Sequence, residues 1–306
     1  MALARMAQSR EDRVINMVVV ALALMVLVVT LYPFYYVILR SLNEGIDSAK
    51  GGLFLFPRRP TLTNYRVVLG DPLIGTAFLV TILRTAVGTV TAVFFTAMVA
   101  YGLSKRHLVF RKTYSMIGLV TLFFSGGLIP TYLLYRAIGL LNTFWVYIVP
   151  ELFAYYHALL FMAFFRELPQ SLEDSAKVDG AGDFRIFVSI MLPLSRPVLA
   201  TIALFVGVLH WNDWFASAYF VFNQKWWTVP TILIKTMSSL EAFYRVASAQ
   251  SQSIQPGAEM ITSEMLVTME SMKYATIVVT VFPITIAYPF LQRYFVKGLL
   301  VGHIKA

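Results

Sequence analysis

The run from Met17 to Leu39 contains 23 residues and no charged side chain. At about 1.5 Å of rise per residue, a helix of that length covers the hydrocarbon core of a bilayer, which is about 30 Å thick. A cleaved signal peptide would have a shorter apolar region followed by small residues at a cleavage site, and this run has neither feature. The run therefore predicts a retained membrane anchor.

The anchor is followed by further apolar runs that are long enough to cross a membrane as helices. They are Leu73–Leu103, Thr113–Tyr135, Phe144–Phe165, Val198–Phe222 and Tyr274–Gln292. Backbone polar groups cannot stay unpaired in lipid, and the runs lack the strict alternation of barrel strands. Composition agrees, because 58% of the residues are hydrophobic and only 13% are charged. The sequence predicts an all-α polytopic membrane protein with six transmembrane helices.

The distribution of basic residues predicts the topology. Placing both termini in the cytoplasm puts more than half of the 25 lysines and arginines on that side, as the positive-inside rule requires. The same rule accounts for the net charge of +9 without nucleic acid. The absence of cysteine excludes disulfides, thiolate metal ligands and cysteine nucleophiles but leaves the redox compartment undetermined. We predict no metal site and no catalytic residue.

This topology predicts one transmembrane domain, residues 17–295, between cytoplasmic tails of residues 1–16 and 296–306. Three segments lie outside the membrane in this scheme: external loop 40–71, cytoplasmic insert 166–197 and external segment 223–273. The first external loop contains "PRRP" and several glycines, so we expect part of it to lack regular structure. The second contains "VPTILIKTM", which is too short to span and is expected to be re-entrant or to lie on the surface.

The cytoplasmic insert begins with a predicted short helix. Ser171 is a candidate N-cap, and Asp174, three residues later, occupies the acidic position of a capping box. Gly180 and Gly182 are expected to end this helix, because glycine adopts the left-handed conformation at little steric cost.

A second helix is predicted immediately afterwards. Asp183 is its candidate N-cap, "FRIFVSIML" offers one apolar face, and Pro193 is expected to end it. In the first helix the small residues Ser175 and Ala176 would allow another surface to approach closely. Two interpretations remain open from the pattern: a docking element for a partner, or an amphipathic pair lying on the lipid surface.

The stretch "EDSAKVDGAGDFRIFVSIMLPLSRP" resembles the EAA loop of permease subunits of ABC importers, whose pattern is roughly EAA, three residues, G, then I-x-L-P. The match places Asp174, Ser175 and Ala176 on the EAA positions, Asp179 and Gly180 on the DG, and Ile190, Leu192 and Pro193 on the I-x-L-P. Asp174 and Ser175 depart from the usual Glu and Ala, so Glu173 is a second candidate for the acidic contact.

The resemblance extends over nearly the whole chain and is closest to carbohydrate-importer permeases similar to the maltose system's smaller permease. "FFSGGLIPTYLLYRAIGLLNTFWVYIVP" and "HWNDWFASAYFV" look like a branch associated with complex and uronate-containing oligosaccharides such as alginate or pectin fragments. The resemblance implies a type I ABC importer permease of the bacterial inner membrane, forming half of a translocation path. It also implies that the insert is a coupling helix, with Glu173, Asp174, Ser175, Ala176, Asp179, Gly180 and Pro193 as its contact residues.

The resemblance implies several partners: a second homologous permease in a heterodimer, two ATPase subunits and an extracytoplasmic solute-binding protein. The chain contains no phosphate-binding GxxxxGKS or GxxxxGKT motif. ATP and Mg are therefore expected to be used by the partner ATPases, with no cofactor bound by this chain.

Sugars are commonly held by aromatic faces and hydrogen-bonding side chains, so polar and aromatic clusters in the spans are candidates for the substrate path. They are Tyr156, His157, Trp211, Asn212 and Trp214. Helix packing or an interfacial aromatic belt remains the alternative for each of them. Arg84 is expected to pair with Glu151 or Asp213 in preference to binding an acidic substrate. External Arg58 and Arg59 either attract a uronate or form a solvated loop face.

Two other classes of membrane protein find less support in the sequence. An intramembrane enzyme such as a lipid-linked glycosyltransferase finds little support, because the chain has neither HExxH nor GxSxG. A secondary transporter would be expected to show an inverted repeat, which is not evident, and has no place for the insert.

Overall fold

The computed structural model describes residues 10–52, 55–105, 107–250, 271–283 and 285–286. Its α-helices are α1 (Arg10–Ser41), α2 (Gly45–Ala49), α3 (Thr63–Gly70), α4 (Pro72–Ser104), α5 (Arg111–Phe123), α6 (Leu128–Ala137), α7 (Tyr155–Glu167), α8 (Gln170–Val178), α9 (Asp183–Ile186), α10 (Leu192–Leu194), α11 (Arg196–Asn212), α12 (Phe215–Phe220) and α13 (Val229–Gln250). Residues 271–283 are also helical. Two 3₁₀ turns, Phe144–Tyr147 and Gln224–Trp226, and a π-helical turn, Phe187–Met191, complete the elements. The described residues form no strand beyond one isolated bridge, Asn43–Pro60, and the predicted all-α class is confirmed.

The chain divides into two compact units, Met1–Gly70 with Thr236–Val279, and Asp71–Lys235 with Thr280–Ala306. In the first unit, the apolar side chains of α1 point outward along its length; Met17 is 71% exposed and Phe34 is 62% exposed. A helix that is apolar all round requires an apolar environment, and its 32 residues are enough to cross a bilayer. The helix therefore has the surface of a lipid-facing span.

Side-chain hydrogen bonds hold the loop after α1. The Asn43 side-chain amide donates to Asp47 Oδ2 at 3.1 Å and to Ser48 Oγ at 2.8 Å. Arg58 clamps the same turn, with Nε 3.0 Å from Asp47 Oδ2 and Nη2 2.8 Å from the Gly51 carbonyl. As expected, part of the loop lacks regular structure: residues 55–62, which include PRRP, lie between α2 and α3 and form no helix or strand.

The second unit is built around α4, which packs against α7 and α11. Small residues let these helices approach closely, since Ala97, Ala100 and Ala158 are fully buried. The insert contributes Ala176, Ile186, Phe187 and Met191 to the same core. The insert is thus packed onto the helices that precede and follow it.

A smaller core lies near the start of α4, where Tyr147 of the 3₁₀ turn packs with Val80 and Phe220. The first turn of α13 is buried there too, and the Val229 N–H donates to Thr81 Oγ1 at 3.0 Å. The segment "VPTILIKTM" therefore begins a 22-residue helix with a buried first turn, and the expectation of a surface-lying piece is wrong at that end.

The predicted spans Met17–Leu39 and Leu73–Leu103 lie within α1 and α4, and each of these helices is long and apolar enough to cross a membrane. The run Thr113–Tyr135 instead forms α5 and α6, which are bent by 119°. Glycine explains the break, because Gly127 has a left-handed φ of +78°. The described residues therefore contain two such helices, or up to four when each bent pair is counted as one span.

The remaining predicted spans are also interrupted or partly outside the described residues. Phe144–Phe165 contains the 3₁₀ turn and then α7, with Pro150 between them. Val198–Phe222 is divided into α11 and α12 at Asp213 and Trp214. Tyr274–Gln292 is helical to residue 283, and residues 284 and 287–292 lie outside the described residues. The same holds for residues 1–9 and 296–306 of the predicted tails, and for residues 251–270 of the second external segment.

Candidate functional site

The first helix of the insert, α8, starts and ends differently from the predicted pattern. Pro169 occupies the N-cap position, so neither the Ser171 cap nor the Asp174 capping box is formed. At the other end Gly180 has φ +78°, and the Ala181 N–H donates to the Ala176 carbonyl at 2.9 Å. This left-handed closure at Gly180 confirms the predicted glycine stop.

The second helical segment of the insert also differs at both ends. Its N-cap residue is Gly182, and Asp183 is the first helical residue instead of the cap. The segment continues through Pro193 to Leu194, so the prediction that Pro193 ends it is wrong. The π-helical turn before the proline, in which the Leu192 N–H donates to the Phe187 carbonyl, widens the backbone and accommodates the ring.

The structure separates the predicted coupling residues by exposure. Asp174, Ser175, Asp179, Gly180 and Pro193 are exposed. Ala176 is only 8% exposed and packs into the chain's own core. Glu173 is ion-paired with Lys105 at the end of α4. Asp174, Ser175, Asp179 and Gly180 therefore lie on the exposed side of α8 and its glycine turn.

A cleft of about 470 Å³ lies beside α8. Its charged lining consists of Lys105, Arg111, Arg166 and Lys177 together with Glu173 and Asp174. Basic residues outnumber acidic ones, and two of the four, Arg166 and Lys177, are exposed. The insert therefore lies next to a polar, mainly basic groove at the ends of α4 and α7.

A second site lies near the N-terminal half of α4, where the buried Arg84 meets Asp213. The two side chains form an ion pair, and Arg84 Nη1 also donates to the Asp213 carbonyl at 2.8 Å. The guanidinium group lies 4.5 Å from the Tyr147 ring centroid. Asp213 Oδ1 accepts from the Phe215 N–H at 2.8 Å and so starts α12. The predicted pairing of Arg84 with an acidic residue of another span is confirmed, with Asp213 as the partner.

This ion pair borders an open cavity of about 370 Å³. The cavity is lined by Arg84, Ser125, Gly127, Leu128, Thr131, Tyr135, Val146, Tyr147, Pro150, Glu151, Asp213, Phe215, Ala216 and Phe220. Among the described residues, Glu151 has no basic side chain within ion-pair distance, so its carboxylate is available to a ligand or to a further subunit. Aromatic rings and polar groups line the same space, which is the composition of a small-molecule site.

The predicted path residues do not line this cavity. Tyr156 is 57% exposed and His157 is 8% exposed, since consecutive residues of α7 point about 100° apart. Asn212 donates to the Val208 carbonyl at 3.0 Å, and Trp214 contacts Phe215 and Tyr219. Trp211 is half-buried at the end of α11. None of the five is therefore among the residues that line this cavity.

The residues that do line the cavity carried a weaker signal in the sequence. Arg84 is the one charged residue in the apolar run Leu73–Leu103, and Glu151 and Asp213 are isolated acids in two other runs. Intramembrane charges normally face a cavity or a partner. The pairing of Arg84 with one of these acids was predicted across the runs, but the space around the pair was not assigned to the substrate path.

These features define a class of protein. It is a helical membrane protein with a helix–turn–helix insert and a cavity between its helices that charged and aromatic residues line. Residues 114–301 match the family described as "Binding-protein-dependent transport system inner membrane component". The match covers more than half of the chain, and the protein belongs to this family.

Similar proteins agree with this assignment. The chain is 36% identical over 279 residues to "Protein LplC" of Bacillus subtilis (strain 168), covering 90% of each chain. It is 32% identical over 295 residues to the "Polygalacturonan/rhamnogalacturonan transport system permease protein YtcP" of the same organism, covering 96% of this chain and 99% of the relative.

A solved structure is similar over nearly the whole fold. It is titled "Crystal structure of a bacterial ABC transporter involved in the import of the acidic polysaccharide alginate". The likeness has a TM-score of 0.81 at 29% identity and covers 94% of this chain and 98% of that chain. The protein is therefore an integral membrane component of a transport system, which the predicted fold class anticipated.

Proposed function

We propose that this chain is the permease subunit of an ATP-driven importer and forms half of the translocation path for an oligosaccharide. One observation carries the proposal: the fold matches a component of a polysaccharide-importing ABC transporter over 94% of this chain. The sugar-transport permease relative supports the same substrate class. Neither the intramembrane enzyme nor the secondary transporter is favoured by these relatives.

The proposed partners follow from the family. They are a second homologous permease in a heterodimer, two ATPase subunits and an extracytoplasmic solute-binding protein. This chain binds no cofactor in the proposal, and the ATPase subunits use ATP and Mg. We place the protein in the bacterial inner membrane with both termini in the cytoplasm, so that the insert faces the ATPases. The predicted domain limits, with residues 17–295 as the transmembrane permease domain, belong to the same proposal.

The cavity at Arg84 and Asp213 is the proposed contribution of this chain to the sugar path. Tyr135 and Phe215 offer aromatic faces, and Glu151 offers an acceptor for sugar hydroxyl groups. Asp213 neutralises Arg84, so the described lining carries one uncompensated carboxylate. If the sugar is a uronate oligomer, the positive charge that holds it comes from outside the described lining of this cavity.

The loop arginines do not change this conclusion. Arg58 is 43% exposed, but its guanidinium group is bonded to Asp47 and to the Gly51 carbonyl. Arg59 pairs with Glu44 at 3.2 Å. Arg58 therefore has a structural role in the loop, whereas Arg59 is 65% exposed and belongs to a solvated loop face.

The coupling mechanism in the proposal is a two-state one. ATP binding closes the ATPase pair and moves the insert, and the helices that the insert contacts follow between inward-facing and outward-facing arrangements. ATP shifts this equilibrium only through its different affinity for the two states. Asp174, Ser175, Asp179 and Gly180 are the proposed contact residues, because they are exposed on α8 and its turn.

The test is to purify the chain from its native membrane in mild detergent and identify the proteins that accompany it. ATP hydrolysis is then measured in proteoliposomes with the binding protein and matched neutral and uronate oligosaccharides. We expect an ATPase and a second permease to copurify and a sugar-loaded binding protein to stimulate hydrolysis. A chain that purifies without an ATPase, or hydrolysis that no oligosaccharide stimulates, would overturn the proposal.

A further inference from the structure

Glu173 and Asp174 are neighbouring acids of α8 with different surroundings. The Glu173 side chain is 17% exposed and ion-paired with Lys105. Asp174 is exposed and forms no ion pair among the described residues. The two carboxylates therefore face different environments: the chain's own α4 in one case and an outer surface in the other.

Lys105 directly follows the last residue of α4 and is held in place by several contacts. Its side chain is only 13% exposed. Its Nζ donates to the Tyr101 hydroxyl at 2.6 Å and lies 3.8 Å from the centroid of the Tyr101 ring. The ammonium group is thus held against α4 by Tyr101 as well as by Glu173.

Tyr101 connects this ion pair to the core. Its ring stacks on Phe187 of the insert, with centroids 5.4 Å apart, and meets the edge of Phe165 of α7 at 5.9 Å. Tyr101 is 5% exposed. The end of α4, the end of α7 and both helical segments of the insert therefore meet at one point.

The ion pair is the polar contact by which α8 is attached to α4 at this point. A largely buried charge left without its partner is strongly unfavourable, whereas exposed pairs have little effect. The insert contains such an exposed pair, Lys177 and Asp183, which are 3.7 Å apart and 43% and 65% exposed. The structure therefore provides a matched control within the same element.

We infer that Glu173 is a positioning residue: its ion pair with Lys105 fastens the insert to α4, so that a displacement of the insert moves α4 with it. This inference rests on the proposed coupling to ATPase subunits and assigns different roles to the two acids. Glu173 transmits motion within this chain, and Asp174 is the acid left to contact the partner.

The first test uses the assembled transporter in proteoliposomes, with the sugar imported per ATP hydrolysed as the readout. For Glu173→Gln and for Lys105→Met we expect this ratio to fall at least about fivefold, which is the lower end of ordinary coupling between sites. ATPase subunits should still copurify, because Asp174 and the exposed turn are unchanged. The charge-reversed pair Lys105→Glu with Glu173→Lys should recover at least half of the ratio, and Asp183→Asn should leave it within about twofold of the wild type.

The second test measures relative movement directly. The chain has no cysteine, so Lys105→Cys with Glu173→Cys introduces two unique thiols in this subunit. We expect the reduced double variant to hydrolyse ATP with little import, and a short bis-methanethiosulfonate linker between the thiols to restore import. Single-cysteine variants control for reaction with other subunits.

Two results would overturn the inference: unchanged import per ATP in both charge-neutralising variants, or import that the linker abolishes and a reductant restores. The second result would show that α8 and α4 have to move apart. Failure of the proposed function looks different, because the wild-type chain would then lack an ATPase while linker formation still reported the distance between the two positions.

Discussion

The imidazole ring of His210, at the end of α11, lies directly against Gly88 in the middle of α4. A Cβ atom added at Gly88 would be 2.5 Å from His210 Nε2, well inside van der Waals contact. His210 is 3% exposed, so its ring has little freedom to move away. The absence of a side chain at Gly88 is what allows these two helices to pack.

We therefore expect Gly88→Ala to destabilise the protein by about 1–3 kcal/mol, as other overpacked cores are. Thermal unfolding of the purified transporter in detergent should show a midpoint lower by about 3 °C or more. Gly75→Ala on the same helix is the control, because nothing lies within 4 Å of its Cβ position. Equal midpoints for the two variants would contradict the close packing of His210 on Gly88.

A second prediction concerns the ion pair of Arg84 and Asp213. Arg84 is 1% exposed, so Arg84→Gln leaves Asp213 without its partner and should destabilise the protein by about 3–5 kcal/mol. Asp213→Asn keeps the side-chain oxygen that starts α12 but leaves the buried Arg84 guanidinium group without a counter-charge, so it should destabilise the protein at least as much. The double variant should be more stable than the sum of the single effects predicts, by about 1 kcal/mol or more. Additive unfolding free energies in this cycle would show that the pair does not stabilise the fold.

The long helices could be predicted from the sequence, and the breaks between helices could not. Met17–Leu39 contains no charged residue and Leu73–Leu103 contains one, Arg84, and the length of these apolar runs identifies them as spans. Hydropathy gives the length of an apolar run but not the direction of the helix axis, so it does not predict the 119° bend between α5 and α6. The left-handed Gly127 at that bend is one of two adjacent glycines, which was the available signal.

The candidate site was predictable only where it depends on local sequence. The insert is a local element, and its turn at Gly180 follows from the glycine itself. The cavity instead joins residues from α4, α6, the 3₁₀ turn and α12, whose approach depends on tertiary packing. The roles of Glu173 and Ala176 also depend on which face of α8 is buried, and a nine-residue helix with mixed polarity does not specify that face by pattern alone.

A third prediction concerns the pH dependence of the loop after α1. The hydrogen bond from the Asn43 amide, and then the Arg58 guanidinium group, lower the pKa of Asp47 below its ordinary value. A lowered pKa in the folded state means that the ionised carboxylate stabilises the loop. This stabilisation is present above about pH 4 and is lost as the pH falls through the lowered value.

Amide hydrogen exchange of residues 43–51, corrected for intrinsic rates, should therefore accelerate between pH 6 and pH 3. Asp47→Asn should remove most of this pH dependence. Glu44→Gln should leave it in place, because the pair of Glu44 with Arg59 is exposed on both sides. Protection that does not change with pH in the wild type would rule out the Asp47 carboxylate as the group that holds the loop.

The last prediction uses the two glycines of the insert, which differ in backbone conformation and not in available space. Gly180 has φ +78° and Gly182 has φ −73°, and neither would place a Cβ atom within 4 Å of another group. Gly180→Ala should therefore destabilise the turn by about 1–2 kcal/mol, because the left-handed conformation is unfavourable for alanine, whereas Gly182→Ala should be nearly neutral. Asparagine tolerates this conformation better, so Gly180→Asn should lie between them.

The readouts are the amount of ATPase that copurifies and the sugar imported per ATP, both of which should fall in the order Gly182→Ala, Gly180→Asn, Gly180→Ala. If Gly180→Ala and Gly182→Ala reduce both quantities equally, the size of the side chain on the exposed turn matters to the partner, and the left-handed backbone does not.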